Sequence, residues 1–232
     1  MDMSPCIRLI LKARSMNPKQ ANMLTLQTMP EDMRLFIVSK VGTTSPIDYF
    51  NTIITSKSLK FSFDNYFVAK DLKLSPLVKK PALATRYKTL MDSCLKANNV
   101  DAHFVKGMLE YFHSQNQFLG LHHIRIASKG GHLKGRYVYG VLLMAIGQTE
   151  KGVKIINKLT DEQGFSVVED CMANFQRSLE RPDLHMKDIY VSSLLKMWPD
   201  LNCHPPEDNT VCSNCLHFFL LTEFFVMMLG LN

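Results

Sequence analysis

Apolar residues recur along this chain at three- and four-residue intervals, and the strict alternation that marks a half-buried strand is scarce. The first well-marked segment opens at Thr28-Met29-Pro30-Glu31-Asp32. Proline in a first helical turn costs no hydrogen bond, and two acids there favour the positive end of the helix dipole. Met33, Ile37 and Val41, with Phe36 beside them, continue the segment at helical spacing until Gly42 and two threonines end it. Ser45-Pro46-Ile47-Asp48 then starts a second helix, with a serine cap, proline at the first position and an acid three residues after the cap. Phe50, Ile53 and Ile54 are its expected apolar face, and a third short helix follows Asp64 through Phe67, Val68 and Leu72. Ser75-Pro76 and Lys79-Lys80-Pro81 read as a linker.

From residue 84 the helices lengthen and small residues take fixed places. Residues 100–109 match residues 133–142 at an offset of 33, with Gly107 and Gly140 in register. A second helix carrying a glycine follows each copy, Gly120 in one and Gly152 in the other. That period suits two antiparallel helices and a turn. A glycine inside a helix costs about 1 kcal/mol relative to alanine, so these mark places where a neighbouring helix comes close. Gly130-Gly131 with Gly135 follows a helix and not a strand, which makes it an inter-repeat turn and not a phosphate loop. Phe165, Val168, Cys171, Phe175 and Leu179 form a further stripe, and Asp183 opens a helix through Met186, Ile189, Tyr190, Leu194 and Met197 that Pro199 ends. The expected fold is all-α: a three-helix cluster followed by antiparallel helix-pair repeats. The expected divisions are a basic, disordered extension at 1–24, the cluster at 25–75, the linker at 76–83, the repeats at 84–200 and a cysteine-containing tail at 201–232.

Composition adds a core and a charge asymmetry. Hydrophobic residues make up 46% of the 232 positions and charged residues 21%, enough apolar content to fold. The net charge of +6 divides unevenly: residues 1–159 carry 23 Lys and Arg against 10 Asp and Glu, residues 160–232 carry 4 against 11. A basic front steers an acidic partner, protein or nucleic acid, and a solvated lysine-rich surface reads the same way. Six dispersed cysteines without a signal-peptide core fit reduced thiols in nucleus or cytoplasm. The apolar run Leu216 to Leu231 is shorter than the ~20 residues a bilayer needs, and Glu223 interrupts it. A buried terminal helix is the expectation there, with no membrane partner.

Sequence signatures of catalysis are missing: the chain holds no P-loop, no HExxH and no GxSxG, and its acids are scattered. A non-catalytic protein is expected. His122-His123 sit on a helix as surface or packing residues. The tail is different, because Cys212-Ser213-Asn214-Cys215 is a CxxC with Cys203-His204 upstream and His217 downstream. Cys203, Cys212, Cys215 and His217 are spaced as zinc ligands can be, and equally as ordinary buried thiols of a terminal helix.

Met29-Pro30-Glu31-Asp32-Met33-Arg34-Leu35-Phe36-Ile37-Val38-Ser39-Lys40-Val41 resembles the opening of an F-box, and Ser45 to Asn51 with Ser56 to Leu59 resembles its plant-type continuation. The paired helices resemble Sel1-like, tetratricopeptide-related (TPR-like) repeats. The order of F-box, repeats and CxxC tail is similar to a plant F-box family. That resemblance implies a substrate receptor of a cullin-type (SCF) ubiquitin ligase, which performs no bond chemistry. It implies a Skp-type adaptor, acidic in this class, on Pro30, Met33, Ile37, Val41, Phe50 and Ile54, and an unknown protein substrate on the repeats. The competing reading is a basic helical scaffold for RNA, DNA or protein, for which Arg125, Lys134, Arg136 and Tyr137 show no base-reading pattern.

Overall fold

Every regular element that the computed structural model describes is helical, over residues 25–179, 186–200, 203 and 212–230. The extension expected at 1–24 and the helix start expected at Asp183 lie outside the described residues. The chain divides into two units, residues 1–73 and 74–232.

In the first unit, α1 (Glu31–Thr44), α2 (Pro46–Thr55) and α3 (Tyr66–Asp71) surround a small core, with a 3-10 turn at Lys57–Leu59. Ser45 caps α2 as its sequence announces, its Oγ accepting from the Asp48 backbone N–H at 3.2 Å. The buried stripe of α1 is Val38, Ser39 and Gly42, one position round from Met33, Ile37 and Val41. Small residues set this register. Gly42 lies against Leu72, whose Cδ1 would stand 3.3 Å from a Cβ there. Ser39 Oγ reaches Asp71 Oδ2 at 3.3 Å. Tyr49 fills the centre and donates its hydroxyl to the Phe61 carbonyl at 2.9 Å. Phe50 and Ile54, the apolar face expected for α2, therefore turn outward from that core.

The second unit begins where a linker was expected. All of residues 76–83 but Lys80 are instead helical, within α4 (Ser75–Lys79) and a 3-10 turn at Pro81–Tyr87, and Leu77, Val78 and Pro81 are buried. Pro76 and Pro81 stand in first turns, where proline is tolerated, and so start these elements and do not break them. Buried Asp101 holds this entry, its Oδ2 accepting from the Leu74 N–H at 3.0 Å.

After α5 (Lys88–Lys96) come two hairpins: α6 (Val100–Phe112) with α7 (Gln117–Lys129), and α8 (Leu133–Ala145) with α9 (Thr149–Gln163). The offset of 33 holds down to the caps. Asn99 Oδ1 accepts from Ala102 N–H before α6, and His132 Nδ1 accepts from Gly135 N–H before α8. A Cβ on Gly120 would lie 2.5 Å from the Tyr111 backbone nitrogen, and one on Gly152 2.5 Å from the Gly140 carbonyl oxygen. The helices of each hairpin touch through their backbones at these points. Gly130 ends α7 and Gly131 turns the chain at φ +87°.

α10 (Phe165–Ser178) and α11 (Asp188–Lys196) follow, and then α12 (Ser213–Met228), which packs on α8 and α11. The apolar run of the C-terminal tail is a buried helix, as expected, and contributes core: Leu220, Leu221 and Phe224 are buried. Phe175 sits 5.5 Å from Phe112 and 6.5 Å from Phe224, and Tyr190 meets Phe224 edge-on at 5.8 Å. The Tyr111 and Tyr190 hydroxyls share a hydrogen bond of 2.9 Å beside this aromatic column. Among the described residues no helix is long and apolar enough to cross a membrane.

Candidate functional site

The first unit cannot enclose all its apolar residues. α2 carries Ile47, Tyr49, Phe50, Ile53 and Ile54 in ten residues, and only Tyr49 is buried. Ile54 is 78% exposed, Ile47 67% and Phe36 58%. Of the residues singled out from sequence, Pro30, Met33, Phe50 and Ile54 are exposed, while Ile37 and Val41 are half-buried. Phe36 and Ile47 are additions. Their signal is legible in hindsight, since a short helix apolar on all sides must present some of them to something else.

Phe36 and Phe67 also wall a cleft of about 270 Å³ with Asp32, Leu35, Lys40 and Asp71. The Lys40 ammonium stands 5.3 Å over the Phe36 ring, and Lys57 is exposed at the start of the 3-10 turn. The cleft therefore carries charge of both signs, Lys40 against Asp32 and Asp71, around its apolar walls.

At the other end of the chain, three of the four proposed zinc ligands converge. Cys203 Sγ lies 3.4 Å from Cys212 Sγ and 3.8 Å from Cys215 Sγ, and all three sulfurs fall within 4.8 Å of one another. Cys212 is the N-cap of α12. The Cys215 backbone N–H donates to it and holds its thiol below the ordinary value, while the hydrogen bond with Cys212 pushes Cys203 up to about 12. His217 does not join them. It is 1% exposed, with Nε2 at 2.8 Å from Asn157 Oδ1 of α9 and Nδ1 at 3.4 Å from Ser213 Oγ. The i to i+2 spacing from Cys215 turns the imidazole to another side of the helix. His204 lies outside the described residues.

A histidine pair escaped sequence reasoning because it crosses a hairpin. His103 of α6 and His123 of α7 bring their Nδ1 atoms to 2.8 Å, and His103 Nε2 lies 2.8 Å from Asn98 Oδ1. Burial lowers the pKa of both rings, with neighbouring imidazoles adding to the shift, and His123 falls to about 4.

The helical repeats match the family of plant tetratrico peptide repeats over residues 73–180. F-box protein At2g35280 of Arabidopsis thaliana is 38% identical over 144 residues, which is 62% of this chain and 88% of that protein. A second protein of the same plant, At1g67623, is 28% identical over 160 residues, covering 68% of this chain and 53% of its own length. F-box protein At1g67340, also of Arabidopsis thaliana, is 27% identical over 120 residues, 50% of this chain and 32% of that protein. No solved structure matches. Fold and repeats define an all-helical protein of the tetratricopeptide-like class. The chain belongs to the plant F-box proteins.

Proposed function

We propose that this chain is the substrate-receptor subunit of a cullin-type ubiquitin ligase, acting in nucleus or cytoplasm without bond chemistry of its own. The observation that carries the reading is the exposed apolar surface of the first unit, where Phe36, Ile47 and Ile54 stand in solvent around a core that is already filled. Exposed apolar groups concentrated on so small a unit mark a place for a partner. Pro30, Met33 and Phe50 widen that surface, and the exposed flanks of Ile37 and Val41 contribute to it. A Skp-type adaptor is the partner proposed there. The second unit, with two hairpins in register, is proposed to hold the protein to be ubiquitylated, as stacked helix pairs commonly do.

The test is capture of a plant Skp-type adaptor by the purified chain, compared with the double variant Phe36→Asp and Ile54→Asp. Both side chains are mostly exposed, so the fold should survive, as circular dichroism would check. Loss of two apolar anchors should weaken capture by more than about tenfold. Failure of the unmutated chain to capture any Skp-type adaptor overturns the proposal.

A further inference from the structure

We infer that Cys203, Cys212 and Cys215 form a thiolate site for Zn²⁺ that clamps the chain after α11 to the first turn of α12. The assignment begins with distances. A tetrahedral zinc bound to thiolates at ~2.3 Å places its sulfurs ~3.8 Å apart, and the sulfurs here stand 3.4 and 3.8 Å apart on the two sides given by Cys203. A disulfide needs ~2.0 Å, and none of the three cysteines is in one. Thiols hydrogen-bond weakly and these three are only half-buried, so contact among the sulfurs is a weak reason to gather them within 4.8 Å.

The backbone supports the same reading. Cys212 and Cys215 occupy the N-cap and third position of α12, so helix geometry alone keeps both on one side of its first turn. The first backbone N–H groups of a helix have no partner within it, and the N-cap position sets the Cys212 sulfur at that end of α12. Soft thiolate ligands select zinc over hard cations such as Mg²⁺ and Ca²⁺. On binding, each of the three thiols gives up its proton to solvent, and a fourth ligand completes four-coordination. Burial and the hydrogen bond to Asn157 engage His217 elsewhere, so it bolts α12 to α9 and takes no part in the metal.

A clamp here has a definite mechanical role. Residues 204–211 separate Cys203 from Cys212, and the metal ties the two ends of that stretch together at the head of the helix that carries Phe224 into the aromatic column. Zinc is then a condition for α12 to remain seated.

The full chain, purified under reducing conditions, should contain near-stoichiometric zinc. Cobalt in place of zinc should show thiolate-to-metal charge-transfer bands and the d–d spectrum of a tetrahedral site. Cys203, Cys212 and Cys215 should resist alkylation until a chelator is added, a measurement on the unmutated protein that no folding defect can confuse. Chelation should also raise hydrogen exchange across residues 213–228 while α6 and α8 keep their protection. Cys212→Ser should lose the metal, and His217→Asn should keep it. Alkylation equally fast with and without zinc, or the absence of cobalt–thiolate bands, overturns the site. Unchanged exchange over α12 after chelation overturns the clamp, and metal lost from a folded His217→Asn protein overturns the three-thiolate assignment.

Discussion

The Nδ1 atoms of His103 and His123, 2.8 Å apart, have room for one proton between them. With His103 Nε2–H donating to Asn98, the His103 Nδ1 is left to accept from His123. A further proton turns one ring into an imidazolium in a half-buried place, where burial, the neighbouring histidines and Lys106 disfavour the charge and Glu110 offsets part of that. The folded chain therefore binds fewer protons than the unfolded chain between the ordinary 6.5 and about 4. Stability from this pair is present above 6.5 and is lost as pH falls through that window. Thermal melts across the window should show a falling transition temperature, and His123→Gln should flatten the fall. A variant with the same pH profile as the parent would assign the acid sensitivity to other groups. Single residues with local work are legible in the sequence: Ser45 as a cap, Gly131 as a turn, the cysteines as a group. The histidine pair is not, since its two members lie 20 positions apart and meet only in the register of a hairpin. His217 misleads for the same reason, because spacing in sequence says nothing of Asn157 on another helix.

Between helices, the glycines decide how closely backbones pack, and they are not equivalent. A Cβ on Gly120 meets the Tyr111 backbone nitrogen, Cβ and Cα at 2.5 to 2.7 Å, none of which can move alone. On Gly140 the nearest atoms are Ile156 Cδ1 and Cγ1 at 2.8 and 2.9 Å, the outer part of a side chain that can rotate. Gly120→Ala should then cost ~1–3 kcal/mol or more through overpacking. In Gly140→Ala the clash is offset in part by about 1 kcal/mol of helix propensity, whereas Gly140→Leu should overpack as Gly120→Ala does. Denaturant melts of the three variants check the order, and an equal cost for the two alanines would mean that the hairpins spread to admit a methyl group. The repeats are readable because cap, glycine and turn recur at one period. The register of α1 is not, because its hydrophobic residues go all the way round and the choice falls to Ser39 and Gly42. The prolines at 76 and 81 look like breakers in the sequence, yet Leu77 and Val78 after the first and Ala84 after the second are apolar and buried.

For the molecule as a whole, charge distribution bears on how a partner arrives. Lys40 stands over the exposed Phe36 ring and Lys57 is exposed on the same unit, in a chain whose first 159 residues hold 23 basic side chains against 10 acidic. If the partner is an acidic adaptor, Lys40→Glu with Lys57→Glu should slow association several-fold and reduce its salt dependence, with dissociation nearly unchanged. Stopped-flow traces at low and moderate salt separate the two rates, and an effect confined to dissociation would place the lysines inside the contact. The place of Phe224 in the aromatic column bears on how the protein is made. A ribosome delivers Phe112 and Phe175 long before Phe224, so the hairpins emerge with one side of their interior still waiting for the helix that closes it. During that interval the nascent repeats expose the kind of surface that chaperones hold and quality control destroys. A chain cut short before Ser213 would keep it exposed, so truncation late in translation should mark this proposed receptor for degradation in its turn.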